Sequence, residues 1–446
     1  MDIQLLFNKG REAGIDEMEV YMVKNSTTRF KIYEGELEGY NIAEEDALSL
    51  RGIYKGRMGY SYTEKLTEDS IDELINNLIQ YAKVNESEYI EVLTPPNEKY
   101  GNMVEKENLL KEYSHEKKIE FLKSIENKAL SFDTRVSMVD SCSYEEHTSC
   151  ISIKNTKGLD LEDSYSIGII ELSIVAKDEK DVQTGYSYIV VDDLLEEYKD
   201  TLVKDAVCDG VNMLGATSID SGNYQIILRN NVAANLFSSF STVFLGDTVQ
   251  KNLSMMKGKI GEKVAVDSLN IIENPLLDGG RIYRNFDDEG TPTYSKSIIE
   301  KGVLKTFLHN RKTAEKEGVN STGNGFRTSH KSSIGVIPTN MYIEEGSLSL
   351  ENMIDLMDKG ILITDIQGLH AGINATSGDF SLSSSGFLIE KGQISRPLSQ
   401  ITIAGNLYTL LNEISAVGND TKFSFPYMNY FGSPSIKVNT LTVAGN

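Results

Sequence analysis

At 446 residues, with 40% hydrophobic and 25% charged side chains, the chain has the balance of a soluble globular protein and is too long for one ordinary core, so two domains are expected. Its 66 acidic and 44 basic side chains leave a formal charge of −22, a field that repels phosphate backbones and argues against nucleic acid as a partner. No apolar run is long enough for a membrane span. The three scattered cysteines, Cys142, Cys150 and Cys208, form no C-x-x-C pair and read as reduced thiols of a cytoplasmic protein.

Residues Met1 to Asp16 read as an amphipathic helix, with Ile3, Leu5, Leu6 and Ala13 set against Lys9, Arg11 and Glu12, so a secretory signal is not expected. Alternation over Glu19–Val23, Thr28–Tyr33 and Ala47–Tyr54, punctuated by Gly35 and Gly39, predicts an antiparallel meander. Two helices follow: one from about Ser70 with Ile71, Leu74, Ile75, Leu78, Ile79 and Ala82 on one face, the other over roughly Glu105 to Leu130. Strands are predicted at Arg135–Val139, Ser149–Lys154 and Ile167–Ala176, then a helix from about Asp192 to Met213.

The turn-forming stretch Gly215 to Gly222 has no periodicity, which places a domain boundary between 218 and 219. Beyond it come a buried-type strand, Tyr224–Leu228, and a short helix from about Val232 to Val243. β patterns then dominate, interrupted by one helix with Ser349 as N-cap, Glu351 in its first turn and Gly360 as its stop. Two segments, 298–304 and 388–394, share a strand, a Glu-Lys-Gly turn and a second strand, the glycine supplying the positive φ of a tight hairpin. The residues alone give a two-domain α+β protein.

No catalytic set stands out. Of the five histidines, none has another four or five residues away, so no helical zinc pair forms. In His115-Glu116 the partner position is Ile119, and the pair reads as a solvated helix face. His147 and Cys150 fall on opposite faces of a strand. Asp287-Asp288-Glu289-Gly290 packs three carboxylates before a turn glycine, as hard cations prefer, but lacks the calcium-loop spacing; capping of backbone amides accounts for it as well. His370, Asp379 and the serines Ser381, Ser383, Ser384 and Ser385 could be drawn as a triad, yet no G-x-S-x-G elbow surrounds a serine.

The second half resembles the TldD/PmbA family. The resemblance runs in order through Tyr224–Val243, Gly261–Val266, Phe286–Pro292, Glu300–Lys305, Ser321–Gly325, Gly378–Gly386, Ile401–Asn406, Val417–Asp420 and Leu441–Gly445. It implies a β-rich, barrel-like domain over 219–446 behind an N-terminal antiparallel sheet with packed helices over 1–218, and a zinc-dependent peptidase system. In TldD-type members the helix after the first strand of this domain carries H-E-x-x-x-H, and a cysteine follows the Val-Gly-Asn-Asp motif. Here the window 230–247 holds no histidine or glutamate and 421–435 holds no cysteine. The resemblance is therefore to the PmbA/TldE-type subunit, with no catalytic residue, metal ligand or cofactor of its own. Zinc is expected only in a TldD-type partner. Such a chain pairs with that partner, or with a second copy, and acts on small or unfolded polypeptides. The residues implied to hold substrate are Asp287, Asp288, Glu289, Asn324, His370, Asn374, Asp379, Asn419 and Asp420, although each can equally build turns and hydrogen-bond networks; Gly290, Gly378 and Gly405 are expected to be structural.

Overall fold

The computed structural model describes residues 1–86, 92–96, 100, 109–280, 282–426 and 430–446. The N-terminal part is one six-stranded antiparallel sheet curled into a half-barrel, in the order β3-β2-β1-β4-β5-β6. Its strands are β1 (Ile15–Tyr33), β2 (Glu36–Tyr54), β3 (Arg57–Thr63), β4 (Val136–Asn155), β5 (Asp160–Lys177) and β6 (Val182–Val191). The central strands are far longer than the alternation suggests. Gly39 does not end β2, because a bulge beside it shifts the register against Lys31 and Ile32 and lets the ladder continue. The strands expected at Arg135–Val139 and Ser149–Lys154 are one, β4, which starts at Val136 and runs on through two bulges near its start; β6 has no counterpart among the expected strands.

Helices α1 (Ile3–Glu12), α2 (Ile71–Val84), α3 (His115–Phe132) and α4 (Glu196–Val211) bury their apolar stripes on this sheet. Asp2 caps α1, accepting from the Gln4 and Leu5 amides, and Ser114 caps α3 through the Lys117 amide. The helix expected from Glu105 thus begins ten residues later. A 3₁₀ turn at Leu109–Glu112 precedes it, and 105–108 lie outside the described residues.

The C-terminal part is a closed five-stranded barrel. Strand β7 (Gly222–Leu228) runs parallel to Lys359–Gln367, which pairs with Asp379–Glu390; that strand pairs with Gln393–Asn406, and Ile436–Ala444 closes the ring back onto β7. Helix α5 (Asn230–Phe240) follows β7 directly and packs into the main core beside Phe431, Ile363 and Val438. A second, smaller sheet includes Ile271–Glu273, Lys296–Glu300, Met341–Ile343 and Phe431–Ser433. Both Glu-Lys-Gly hairpins form: Lys301 and Gly302 have φ of 48° and 74°, Lys391 and Gly392 of 53° and 74°. The helix capped by Ser349 ends at Asp355, not at Gly360. Gly360 already lies in the barrel, where a Cβ would stand 2.7 Å from the Gln225 carbonyl oxygen, so close strand approach is what requires glycine there.

Candidate functional site

The acidic loop fastens the two halves of the chain together. Phe286 is fully buried among Tyr21, Val23, Ile151, Ile153, Leu159 and Leu161 of the half-barrel. Around this plug the polar groups are matched. Asp287 Oδ1 accepts from the amides of Glu289 (3.0 Å) and Thr291 (2.8 Å), and Oδ2 from that of Gly325 (2.9 Å). Asp288 takes Arg284 Nη2 at 2.9 Å and the Arg327 amide at 2.8 Å. Glu289 Oε2 accepts from the Arg311 amide at 2.7 Å and its carbonyl from Thr94 Oγ1 at 2.6 Å, while Arg51 Nη1 stands 4.0 Å from Oε1. Arg51 in turn binds Glu19 at 2.7 Å, and Asn285 donates its amide to Asp163 at 2.8 Å.

All three carboxylates are buried, so as substrate contacts they would first have to be uncovered; what they hold is the joint. Burial, then the Glu289 carboxylate, push the Asp287 carboxyl up to about 8, against the pull of the Thr291 and Gly325 amides. Asn324 is likewise enclosed. Its Oδ1 accepts from Thr322 Oγ1 (2.8 Å) and Lys296 Nζ (3.1 Å), and its Nδ2 donates to Glu273 (3.2 Å). Every donor and acceptor of its amide is used inside the protein.

His370 and Asn374 lie on the exposed loop that leaves the barrel after Gln367, and Asp379 opens the strand that follows it. Asn374 Oδ1 accepts from the Thr376 and Ser377 amides at 3.0 and 3.2 Å. Asn406 Nδ2 and Ser377 Oγ donate to Asp379 and hold its carboxyl below its usual range. Among the described residues no hydroxyl or carboxylate meets the His370 ring, so the loop does not assemble a Ser-His-Asp triad.

A different place gathers the polar groups that face a cavity. The open side of β6, with α4, meets the end of the barrel around a cleft of about 760 Å³. Gln183 and Thr184 line it from β6, Asp209 from α4, Asn231 and Asn235 from α5, and Gln367, Ser383 and Gln400 from the barrel. Gln400 reaches in from an irregularity opposite Ser385, with a left-handed φ of 54°, a bulge that re-aims its side chain at the barrel rim. Arg229, the residue between β7 and α5, ties the cleft's two walls. Its guanidinium donates to both Asp209 oxygens at 2.6 Å, to the Thr364 carbonyl at 3.0 Å and to Asn231 Oδ1 at 2.7 Å. Burial works against its charge, and the Asp209 bonds more than offset that, so its pKa rises.

Of the residues implied by the resemblance, Asp420 reaches this cleft, and Asn419 beside it is exposed. Asp420 accepts from the Ser435 amide and hydroxyl, both at 2.7 Å, and Asn230 Nδ2 donates to its carbonyl at 2.7 Å. The cleft's other members were not legible one by one: Arg229 and Asp209 are joined only by the fold.

The inner face of α5 packs in the core against the strands Lys422–Phe423 and Phe431–Ser433, while Asn231 and Asn235, one turn apart, face the cleft. Phe237 and Phe431 stack with ring centroids 5.8 Å apart and planes 20° apart, both almost fully buried, with Leu236 and Phe240 beside them. Among the described residues one cluster could offer three ligand atoms, Glu45, Glu64 and His330. It belongs to the joint, and Lys331 Nζ already sits 2.7 Å from Glu64.

Half-barrel, plugged joint, closed barrel and polar cleft define a class: two-part α+β proteins whose cleft is assembled by both parts. Profiles of the PmbA/TldA metallopeptidase domains match in chain order, domain 1 at residues 18–82, the central domain at 108–214 and the C-terminal domain at 221–445. The chain belongs to the TldD/PmbA metallopeptidase family. A solved structure from Thermotoga maritima, named a modulator of DNA gyrase, is 31% identical, with 99% of both chains covered and a TM-score of 0.91. TldE from Thermococcus kodakarensis is 26% identical over 99% of this chain and 100% of its own, with a TM-score of 0.90. Metalloprotease PmbA of Escherichia coli O157:H7 is 26% identical over 91% of this chain and 88% of its own length. A TldD homolog from Buchnera aphidicola is also 26% identical, over 97% and 93%.

Proposed function

We propose that this chain is the zinc-free, PmbA/TldE-type subunit of a cytoplasmic TldD/TldE-type peptidase, pairing with a TldD-type chain that holds the zinc. The reading is supported by one observation: residues 230–247 hold no histidine or glutamate, residues 421–435 hold no cysteine, and the side chains one turn apart that α5 turns to the cleft are the amides Asn231 and Asn235. Zinc needs imidazole, thiolate or carboxylate donors in a tetrahedral set, and these amides supply none. No helix among the described residues is long and apolar enough to cross a membrane, which agrees with that location.

The chain's own part is binding. The cleft offers amides and hydroxyls, Gln183, Thr184, Asn231, Asn235, Gln367, Ser383 and Gln400, which donate and accept with any extended backbone and read no particular side chain. That suits small or unfolded polypeptides as substrates. Arg229 and Asp209 neutralise each other and keep the cleft's walls together, and the further lining charges, Asp205, Asp365 and Asp420 against Lys422, leave it acidic. The bound group in the partner would supply water activation; the residues here hold and orient the chain to be cut.

The test is reconstitution. The purified chain, the H-E-x-x-x-H relative from the same genome, and their mixture are each given unfolded casein. Cleavage by the mixture well above either chain alone is the expected result. Equal cleavage by this chain alone would contradict the reading, and no gain on mixing would favour a homodimeric peptide-binding protein.

A further inference from the structure

Strand β2 is flanked on both sides only from Leu48 to Tyr54, where β3 covers it. From Glu36 to Ala47 it pairs with β1 alone, and among the described residues no strand lies on its other side. The direction of its free groups follows from the turns. The β2–β3 hairpin closes on Tyr54 and Arg57 around Lys55 and Gly56, with φ of 51° and 73°, so Tyr54 and every second residue before it point N–H and C=O away from β1. Asp46, Glu44, Ile42 and Tyr40 fall in that series, and their backbone groups are an open template for another strand.

The same stretch carries uncovered apolar side chains. Leu37, Tyr40 and Ile42 are 40, 52 and 44% exposed, and they pair with Ile32, Phe30 and Thr28, so they lie on the face that α3 covers further in with Phe121, Leu122 and Ile125. Helix α3 leaves them partly uncovered and reaches this end of β2 through polar side chains: His115 Nδ1 stands 2.9 Å from the Tyr40 hydroxyl, Lys123 Nζ 4.0 Å from Glu36, and Glu126 accepts from the Gly35 amide at 2.8 Å.

Charge decides the occupant. The stretch holds Glu36, Glu38, Glu44, Glu45 and Asp46. A second copy pairing antiparallel about Tyr40 sets Glu36 opposite Glu44. About Asn41 it sets Glu38 opposite Glu44 and Glu36 opposite Asp46, and about Ile42 it sets Glu38 opposite Asp46. These three registers oppose acids, twice over by symmetry, and like charges directly opposite destabilise a ladder; the register about Gly39 avoids that only by setting Glu36 against Ile42 and Glu38 against Tyr40, acids on the apolar strip. Lys31 and Lys123 partly screen Glu38 and Glu36, but Glu44 has no charged partner among the described residues.

We propose that the open edge of β2, residues 36–46, is the docking site for an edge strand of the TldD-type partner, a non-identical chain whose strand carries Lys or Arg against these acids and apolar residues over Leu37, Tyr40 and Ile42. This rests on the pairing proposed above. Two variants test it against the same partner chain by sedimentation or titration. Glu44→Pro removes one outward N–H without touching the β1 ladder and weakens the complex about tenfold. Ile42→Lys with Glu44→Lys reverses the local charge and weakens it further, and the wild-type complex itself loosens as salt rises. Both variants keep the melting temperature of the free chain close to that of the wild type, because Glu44 is exposed with no charged partner among the described residues, Ile42 is 44% exposed and the N–H points away from β1. A wild-type complex that neither variant weakens overturns the docking site and leaves the pairing intact. Absence of any wild-type complex overturns both.

Discussion

Truncating Phe237 to alanine removes a phenyl group that is 3% exposed and stacked on Phe431, itself 1% exposed. Its neighbours on α5, Leu236 and Phe240, are fixed by the helix, and Phe431 by its strand in the smaller sheet, so little can move in to fill the space. A phenylalanine-to-alanine change at such a site costs about 3–5 kcal/mol. The ring pair itself contributes about 0.5–1.5 kcal/mol of that, which a double-mutant cycle with Phe431→Ala isolates as a non-additive term. The chain has no tryptophan, so far-UV circular dichroism in a urea titration is the suitable probe, read on the transition of the C-terminal part. A loss below about 1 kcal/mol, with no coupling to Phe431, would mean that this end of α5 is loosely packed and adaptable. The claim that tight aromatic packing locks α5 into the core of the C-terminal part would then be wrong.

Three further outcomes follow from the joint and the cleft. Arg51→Met strands the fully buried Glu19 carboxylate and should cost about 3–5 kcal/mol in a denaturant titration, as breaking a buried ion pair does. Asp287 has its carboxyl raised from 3.8 to about 8 in the folded chain, so the native state holds a proton that the unfolded state has lost. Its contribution is complete at low pH and is lost as pH rises through about 8; the urea midpoint should therefore fall from pH 5 to pH 8, and fall less in Asp287→Asn. Arg229→Lys keeps a charge but cannot make the two-pronged bond to Asp209. It should cost about 1–3 kcal/mol and reduce peptide cleavage by the reconstituted pair, measured as a change in KM more than in kcat.

What the sequence disclosed was local. The Lys-Gly turns at 301–302 and 391–392 were legible because the left-handed pair is a property of two residues. The α2 stripe from Ile71 to Ala82 was legible because helical spacing needs no partner to be seen. The length of β2 was hidden by Gly39, which reads as a stop until a bulge absorbs it. Gly360 reads as a helix stop for the same reason: a glycine needed for strand approach looks like one needed for a turn. The site was harder still. The cleft exists because β7 lies parallel to Lys359–Gln367 and because α4 of the half-barrel meets Arg229, contacts between residues far apart along the chain. The acidic loop advertised carboxylates, but only burial reveals that amides and arginines already satisfy them.

The central claim is most directly tested by counting zinc per heterodimer, by native mass spectrometry of the reconstituted pair. His330→Gln should be included in this chain to remove the imidazole from the Glu45–Glu64 cluster at the joint. One zinc per pair, carried by the TldD-type chain when the two are separated, is the predicted result. A second zinc that survives the His330 change and stays with this chain would contradict it.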